Sequence, residues 1–224
     1  MSNSREEILH TIRKGLKGAS SEETLEERNF VSEAQEIEKL INELQSDLKT
    51  QFITELNNVN TTVIEAKNGI NIKDSLFNLI KEKELKSFSI WESKFLKELN
   101  IKNELKDAGL KLITAKNKNR IATSEIGITE VNYAIADTGT LVLLTNKSQP
   151  RSVSLLPPIH LAIVRPENLI RNIRDLFVIL KSKLGEGEDI TSCMTFITGP
   201  SRTADIELNL TLGVHGPKEL YVII

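Results

Sequence analysis

Apolar side chains recur along this chain with two different periods, and the change near residue 57 sets its first division. Ile8, Leu9, Ile12 and Leu16 fall three or four residues apart behind Ser4, predicting a helix over residues 4–17 with that serine as its cap. Gly15, Gly18 and Ala19-Ser20-Ser21 then loosen the chain. Ile37, Leu40, Ile41, Leu44 and Leu48 form a second helical stripe, which predicts one long helix over Glu33–Leu56. Residues 1–57 thus read as a helical extension without a cluster of reactive side chains, packing on the main domain or on a partner.

Beyond Asn57 short β-like runs alternate with helical stretches. Strands are predicted at Thr61–Ala66, Ser87–Trp91, Leu110–Ala115, Thr140–Thr145, Leu161–Val164 and Thr195–Ile197. Helices are predicted at Ile72–Lys83, Lys94–Asn100, Glu104–Ala108 with Gly109 as the stop, Ile126–Ala136, and Pro166–Leu184 with proline in its first turn. This alternation predicts an α/β domain over residues 58–224, built on a mainly parallel sheet covered by helices on both faces. No internal repeat interrupts it.

Composition narrows the setting. A net charge of -2 over 224 residues argues against a nucleic-acid footprint, which needs a clustered basic face. The N-terminus lacks an apolar signal core and the apolar runs are short, so a cytoplasmic chain with no membrane segment is expected. The single cysteine, Cys193, excludes an internal disulfide framework and a self-contained iron–sulfur site. Beside the Met194–Ile197 run it reads as a core residue.

Candidate chemistry gathers in two polar loops. Ala134-Ile135-Ala136-Asp137-Thr138-Gly139-Thr140 precedes a strand, and Gly139 allows close backbone approach while Thr138 and Thr140 supply hydroxyls. Such a turn either holds an anion on its amides or simply closes a helix with a left-handed glycine. The second loop, Gly199-Pro200-Ser201-Arg202-Thr203-Ala204-Asp205-Ile206-Glu207, follows the apolar run Met194–Ile197. In open α/β sheets ligands bind beyond such carboxyl ends. Ser201 is expected to cap a short helical turn whose amides, with Arg202, would take a phosphate or carboxylate. Alternatively, Asp205 and Glu207 merely complement a helix dipole.

From Glu207 the apolar residues Leu208, Leu210, Leu212 and Val214 alternate with polar ones, predicting a strand with Asp205, Glu207, Asn209, Thr211 and His215 on one face. The turn Gly216-Pro217-Lys218-Glu219 then returns the chain as Leu220–Ile224, in a hairpin. His215, between Gly213 and Gly216, suits proton transfer or a satisfied turn. His160, after Pro157-Pro158, reads as structural, and Arg151 either joins the same pocket or stays on the surface. No pair of potential ligands has a recognised metal spacing, so no metal is expected. There is no Gly-x-Gly-x-x-Gly after a strand, no P-loop and no Gly-x-Ser-x-Gly elbow.

Five separated stretches, in order, resemble the LUD-domain family and within it the lactate-utilisation protein C group. They are Ser4–Leu9, Gly127-Ile128-Thr129 with Ala134–Thr140, Ser154–His160, Gly199–Glu207 and Gly213-Val214-His215-Gly216-Pro217. The resemblance is strong from about Ile121 onward and weak between Ala19 and Asn119. It implies a three-layer α/β fold like that of the ribose-5-phosphate isomerase and CoA-transferase superfamily. It also implies a part in oxidising L-lactate to pyruvate beside two iron–sulfur partner proteins, the clusters lying on the partners and none on this chain. The expected ligand is a small anion, bound by Thr138, Gly139, Thr140, Gly199, Ser201, Arg202, Thr203, Asp205 and Glu207, with His215 as base. A homo-oligomer is compatible with all of this. The rival expectation is an independent enzyme or sensor for a phosphorylated or CoA-like ligand.

Overall fold

The computed structural model describes residues 8–11, 29–66, 68–114, 118–185, 191, 193–204 and 210–224. Residues 8–11 are helical, within the first expected helix. The second helical stripe is divided at Leu44 into α1 (Phe30–Glu43) and α2 (Gln45–Asn58). The Asn29 carboxamide oxygen starts α1 by accepting the Ser32 N–H at 3.1 Å, a cap that satisfies an otherwise orphaned donor. Ala34, Ile37 and Ile41 of α1 and Leu48, Phe52 and Leu56 of α2 enter the same hydrophobic core as the sheets. The expected boundary at residues 57–58 falls at the last turn of α2.

The remaining elements follow in chain order. They are β1 (Thr62–Ile64), α3 (Gly69–Glu82), β2 (Ser87–Ile90), α4 (Lys94–Glu98), α5 (Ile101–Asp107), β3 (Lys111–Leu112), α6 (Lys118–Ile121) and β4 (Ile126–Glu130). Next come β5 (Tyr133–Ile135), β6 (Thr140–Leu144), α7 (Ser152–Leu155), β7 (Ile159–Ile163), β8 (Leu169–Ile170) and α8 (Ile173–Gly185). The chain closes with β9 (Met194–Ile197), β10 (Arg202–Ala204), β11 (Leu210–Leu212) and β12 (Glu219–Ile223).

Six strands form an all-parallel sheet in the order β1-β12-β7-β4-β2-β3. This is the α/β architecture that the alternation of elements predicts. Its central strand β7 is buried at every position and β4 at all but Glu130, as expected of parallel strands covered on both faces. A second sheet, β8-β5-β6-β9, is mixed, with β5–β6 and β6–β9 antiparallel. Strands β10 and β11 make a small antiparallel pair of their own.

Four local expectations need correction. Ile126–Ala136 is not a helix but the strands β4 and β5. Each strand is short, and the break between them leaves Ile128, Val131 and Ile135 three and four residues apart, a spacing that reads as one helical stripe. Pro166–Leu184 is likewise not one helix: Pro166–Asn168 is a 3-10 turn, β8 follows, and α8 starts only at Ile173. Asn172 restarts the chain there, its side-chain oxygen accepting the Asp175 N–H at 3.0 Å. Arg202–Ala204 is a strand paired with β11 rather than a helical turn capped by Ser201. Finally, Leu220–Ile224 forms no hairpin with the preceding strand; β12 inserts between β1 and β7, parallel to both.

Candidate functional site

The loop after β9 and the loop before β12 meet along one cavity of about 280 Å³. One wall is Gly199–Arg202, another is His215–Pro217, and Arg151, Ser154 and Leu155 around α7 close a third side. Its inner surface is made by Thr195 of β9 and His160 of β7. β9 belongs to the antiparallel sheet, and the cavity meets the parallel sheet near the amino ends of β7 and β12, where His160 pairs with Leu220. The Gly199–Arg202 loop therefore follows a carboxyl end, as expected, but of a strand outside the parallel sheet.

Ser201 ties the two loops together. Its N–H donates to Pro217 O at 2.9 Å, its carbonyl accepts from Gly213 N–H at 2.9 Å, and its hydroxyl oxygen accepts from His215 N–H at 3.3 Å. Gly216 makes the approach possible: a Cβ there would stand 3.2 Å from the Ser201 Cβ. On the opposite side, Gly199 adopts φ +83° and runs against the end of α2, where an added Cβ would meet Val59 O at 2.7 Å. The Arg202 guanidinium donates to the same Val59 carbonyl. Helix ends leave such carbonyls without helical partners, so the arginine satisfies one and faces the negative end of the dipole.

Thr138, Gly139 and Thr140 do not line the cavity. They lie in the β5–β6 hairpin, where Gly139 has φ +60° and a Cβ would fall 2.8 Å from Leu56 N of α2. Gly139 thus permits close helix packing at a hairpin turn; the helix-closing alternative is removed. A chain of hydroxyls still joins the turn to the pocket, since Thr138 Oγ1 lies 2.8 Å from Thr140 Oγ1, itself 2.8 Å from Thr198 Oγ1 on the cavity wall. Thr203 sits in β10 opposite Thr211 and is not part of the lining. Asp205 and Glu207 lie outside the described residues. Cys193, expected in the core, is only half-buried.

His160, read from the sequence as structural, is 1 % exposed and faces this cavity. Its Nε2 lies 2.9 Å from the Thr129 hydroxyl on the neighbouring strand, and its Nδ1 has no partner among the described residues. Burial pushes its pKa down from 6.5 to about 3, so the ring is uncharged at neutral pH. The signal that marks it is the proline pair ahead of a fully apolar strand: a histidine placed there has to be buried. Arg151 on the exposed rim makes no side-chain hydrogen bond or ion pair among the described residues.

A larger cavity, of about 540 Å³, lies beyond the carboxyl ends of β2 and β3. Of its polar groups, Lys102 pairs with Glu92 at 2.7 Å, and Asn146 accepts from Ser148 and Gln149. Between these strands and β7, Arg165 pairs with Glu130 at 3.0 Å and stacks 5.3 Å from the Phe95 ring centre. The crevice where ligands of open α/β sheets commonly bind thus holds several ion-paired side chains, whereas in the smaller cavity His160 Nδ1 and Thr195 Oγ1 have no partner among the described residues.

Fold and site together define an α/β protein with a small, partly charged pocket between two sheets, walled by two cross-linked loops. The LUD domain model matches residues 49–224, and the chain belongs to the LUD domain family. It is 40% identical over 110 residues to lactate utilization protein C of Bacillus licheniformis, covering 49% of this chain and 46% of that protein. The chain thus spans about half the length of the first curated relatives it matches. The match to lactate utilization protein C of Macrococcus caseolyticus extends further, at 30% identity over 80% of this chain and 79% of the relative. The crystal structure of a DUF162 family protein from Deinococcus radiodurans superposes with a TM-score of 0.59 at 18% identity, covering 80% of this chain and 96% of that one, and shares the fold. Among the described residues no helix is long and apolar enough to cross a membrane.

Proposed function

We propose that this protein serves lactate utilisation by binding a small hydroxy or oxo acid in the cavity between Gly199–Arg202 and His215–Pro217. The observation that carries this reading is the cross-linking of those two distant segments, through Ser201, around a pocket whose rim carries an arginine, Arg151, without a side-chain partner among the described residues. Kinship with proteins named for lactate utilisation supplies the pathway. The volume supports the choice of a small acid over a CoA-sized ligand, because about 280 Å³ lies at the bottom of the ~300–1,000 Å³ typical of drug-sized ligands.

In this reading the carboxylate pairs with the Arg151 guanidinium, since Arg202 is engaged by Val59. Gly199, Ser201 and Arg202 shape the wall, and Thr138–Thr140 brace it through Thr198. His215, which walls the same cavity, takes the hydroxyl proton of L-lactate as pyruvate forms. That oxidation also releases a second proton and two electrons from the C2–H bond. The electrons pass to iron–sulfur proteins, because the chain's single cysteine cannot supply the thiolates of a cluster.

Growth of a deletion strain on L-lactate as carbon source tests the role. Failure to grow, restored by the wild-type gene, together with co-purification of iron–sulfur proteins, is expected. Normal growth on lactate without the gene removes the pathway assignment.

A further inference from the structure

We propose that His160 and Thr195 form an uncharged polar floor to this cavity that reads the hydroxyl or carbonyl oxygen of a short 2-hydroxy or 2-oxo acid, while Arg151 at the rim holds its carboxylate. This inference rests on the cavity being the functional site, and adds which atoms recognise which part of the ligand.

Buried polar atoms in folded proteins nearly always have a partner. Two of the described side-chain atoms that lack one, His160 Nδ1 and Thr195 Oγ1, belong to residues lining this single cavity. They come from strands of different sheets, β7 and β9, so no local backbone feature explains both. Thr129 engages only Nε2 of the imidazole, which fixes the ring and leaves Nδ1, buried in a residue that lines the cavity, without a partner among the described residues. A ligand oxygen between Nδ1 and Oγ1 would satisfy both.

The charge distribution decides which oxygen that is. The floor carries no charge, because burial keeps the imidazole neutral and the other group is a hydroxyl. A carboxylate placed there would lose its hydration without gaining a counter-charge. The cation stands at the exposed rim, in Arg151. The anionic end of the ligand therefore points outward and its neutral oxygen inward. In a 2-hydroxy or 2-oxo acid these groups sit on adjacent carbons, which suits a pocket of about 280 Å³.

Calorimetric titration of the purified full chain with pyruvate, L-lactate and propionate tests the assignment, alongside the ¹⁵N resonances of His160. Propionate keeps the carboxylate and lacks the second oxygen. Pyruvate or lactate is expected to bind about tenfold more tightly than propionate, the effect of one well-made hydrogen bond, and to move the His160 Nδ1 resonance. Thr195→Val should erase much of that preference, and Arg151→Gln should weaken all three acids by about tenfold with an unchanged melting temperature. Equal binding of propionate and pyruvate, an unmoved His160 signal at saturation, or no binding of any acid overturns the proposal. Binding with normal lactate growth of the deletion strain would sink the pathway role alone; a growth defect without binding would sink only the floor.

Discussion

Ser201 Oγ accepts the backbone N–H of His215 at 3.3 Å, and this contact fixes the spacing of the two loops that wall the cavity. The main chain reinforces it on either side, through Ser201 N–H to Pro217 O and Gly213 N–H to Ser201 O, each 2.9 Å. The serine that the sequence offers as a helix cap is thus a fastener. Its hydroxyl orders the backbone beneath the one exposed histidine of the pocket.

Ser201→Ala leaves the main-chain links and deletes only the hydroxyl. A destabilisation of about 0.5–1.5 kcal/mol is expected from urea unfolding, the net worth of one hydrogen bond. The larger effect should appear in ligand titration, because His215 loses its anchor. Unchanged acid binding would mean that the position of His215 does not depend on this contact.

Gly127 separates packing from backbone strain. A Cβ there would lie 1.9 Å from Val153 O and 3.0 Å from Pro157 Cγ, so Gly127→Ala forces α7 off β4. Overpacking of this kind costs about 1–3 kcal/mol or more, and α7 brings Ser154 and Leu155 to the pocket. Gly109→Ala is the control, since its φ of +90° is unfavourable for alanine but nothing lies within 4 Å of an added Cβ. Both variants should unfold at lower urea, while only Gly127→Ala should lose affinity for the acid.

Buried His160 makes stability depend on pH with a defined sign. Its ordinary value of 6.5 falls to about 3 in the folded protein, so between these values the unfolded chain binds the extra proton. The contribution of His160 is therefore complete above 6.5 and is lost as pH falls toward 3, by up to about 1.4 kcal/mol per pH unit. Glu125 and Glu219 bend the curve the same way. Burial would raise both carboxyls, but hydrogen bonds from Lys86 and Ser87, and from Lys83 and Tyr221, hold them below the usual range. Unfolding free energies of the wild type and His160→Gln isolate the histidine. Their gap should narrow from about pH 7 to about pH 4, and a gap independent of pH would show that the ring titrates normally.

The alternation of apolar runs carried the parallel α/β fold, because strands such as Ser87–Ile90 and Ile159–Ile163 differ plainly from helices such as Gly69–Glu82. It failed where local spacing misleads or tertiary pairing overrides it. The break between β4 and β5 leaves Ile128, Val131 and Ile135 at helical spacing, which masks the short alternation within each strand. β12 pairs with β1 and β7, partners far away in sequence that the turn at Gly216–Glu219 does not announce. The site was legible as a set of polar loops, with Gly199, Ser201, Arg202 and His215 reaching one cavity. His160 was not, since a histidine amid apolar residues looks the same whether its free nitrogen meets a neighbour or a pocket.

Arg202 and Arg151 provide the sharpest separation of structure from binding. Both line the cavity, yet the Arg202 guanidinium is held by the Val59 carbonyl at the end of α2, and Gly199 packs against that same oxygen. Arg202→Ala should therefore unfasten the β9–β10 loop from α2, with a stability loss of about 1 kcal/mol for an exposed contact and faster amide exchange over the last turn of the helix. Its effect on acid affinity should be smaller than that of Arg151→Gln, whose guanidinium has no partner among the described residues to lose. The two variants, compared by urea unfolding and by calorimetry, should thus lose different properties. If Arg202→Ala abolishes acid binding without changing stability, the carboxylate sits on Arg202, and the Val59 contact is one that the ligand displaces.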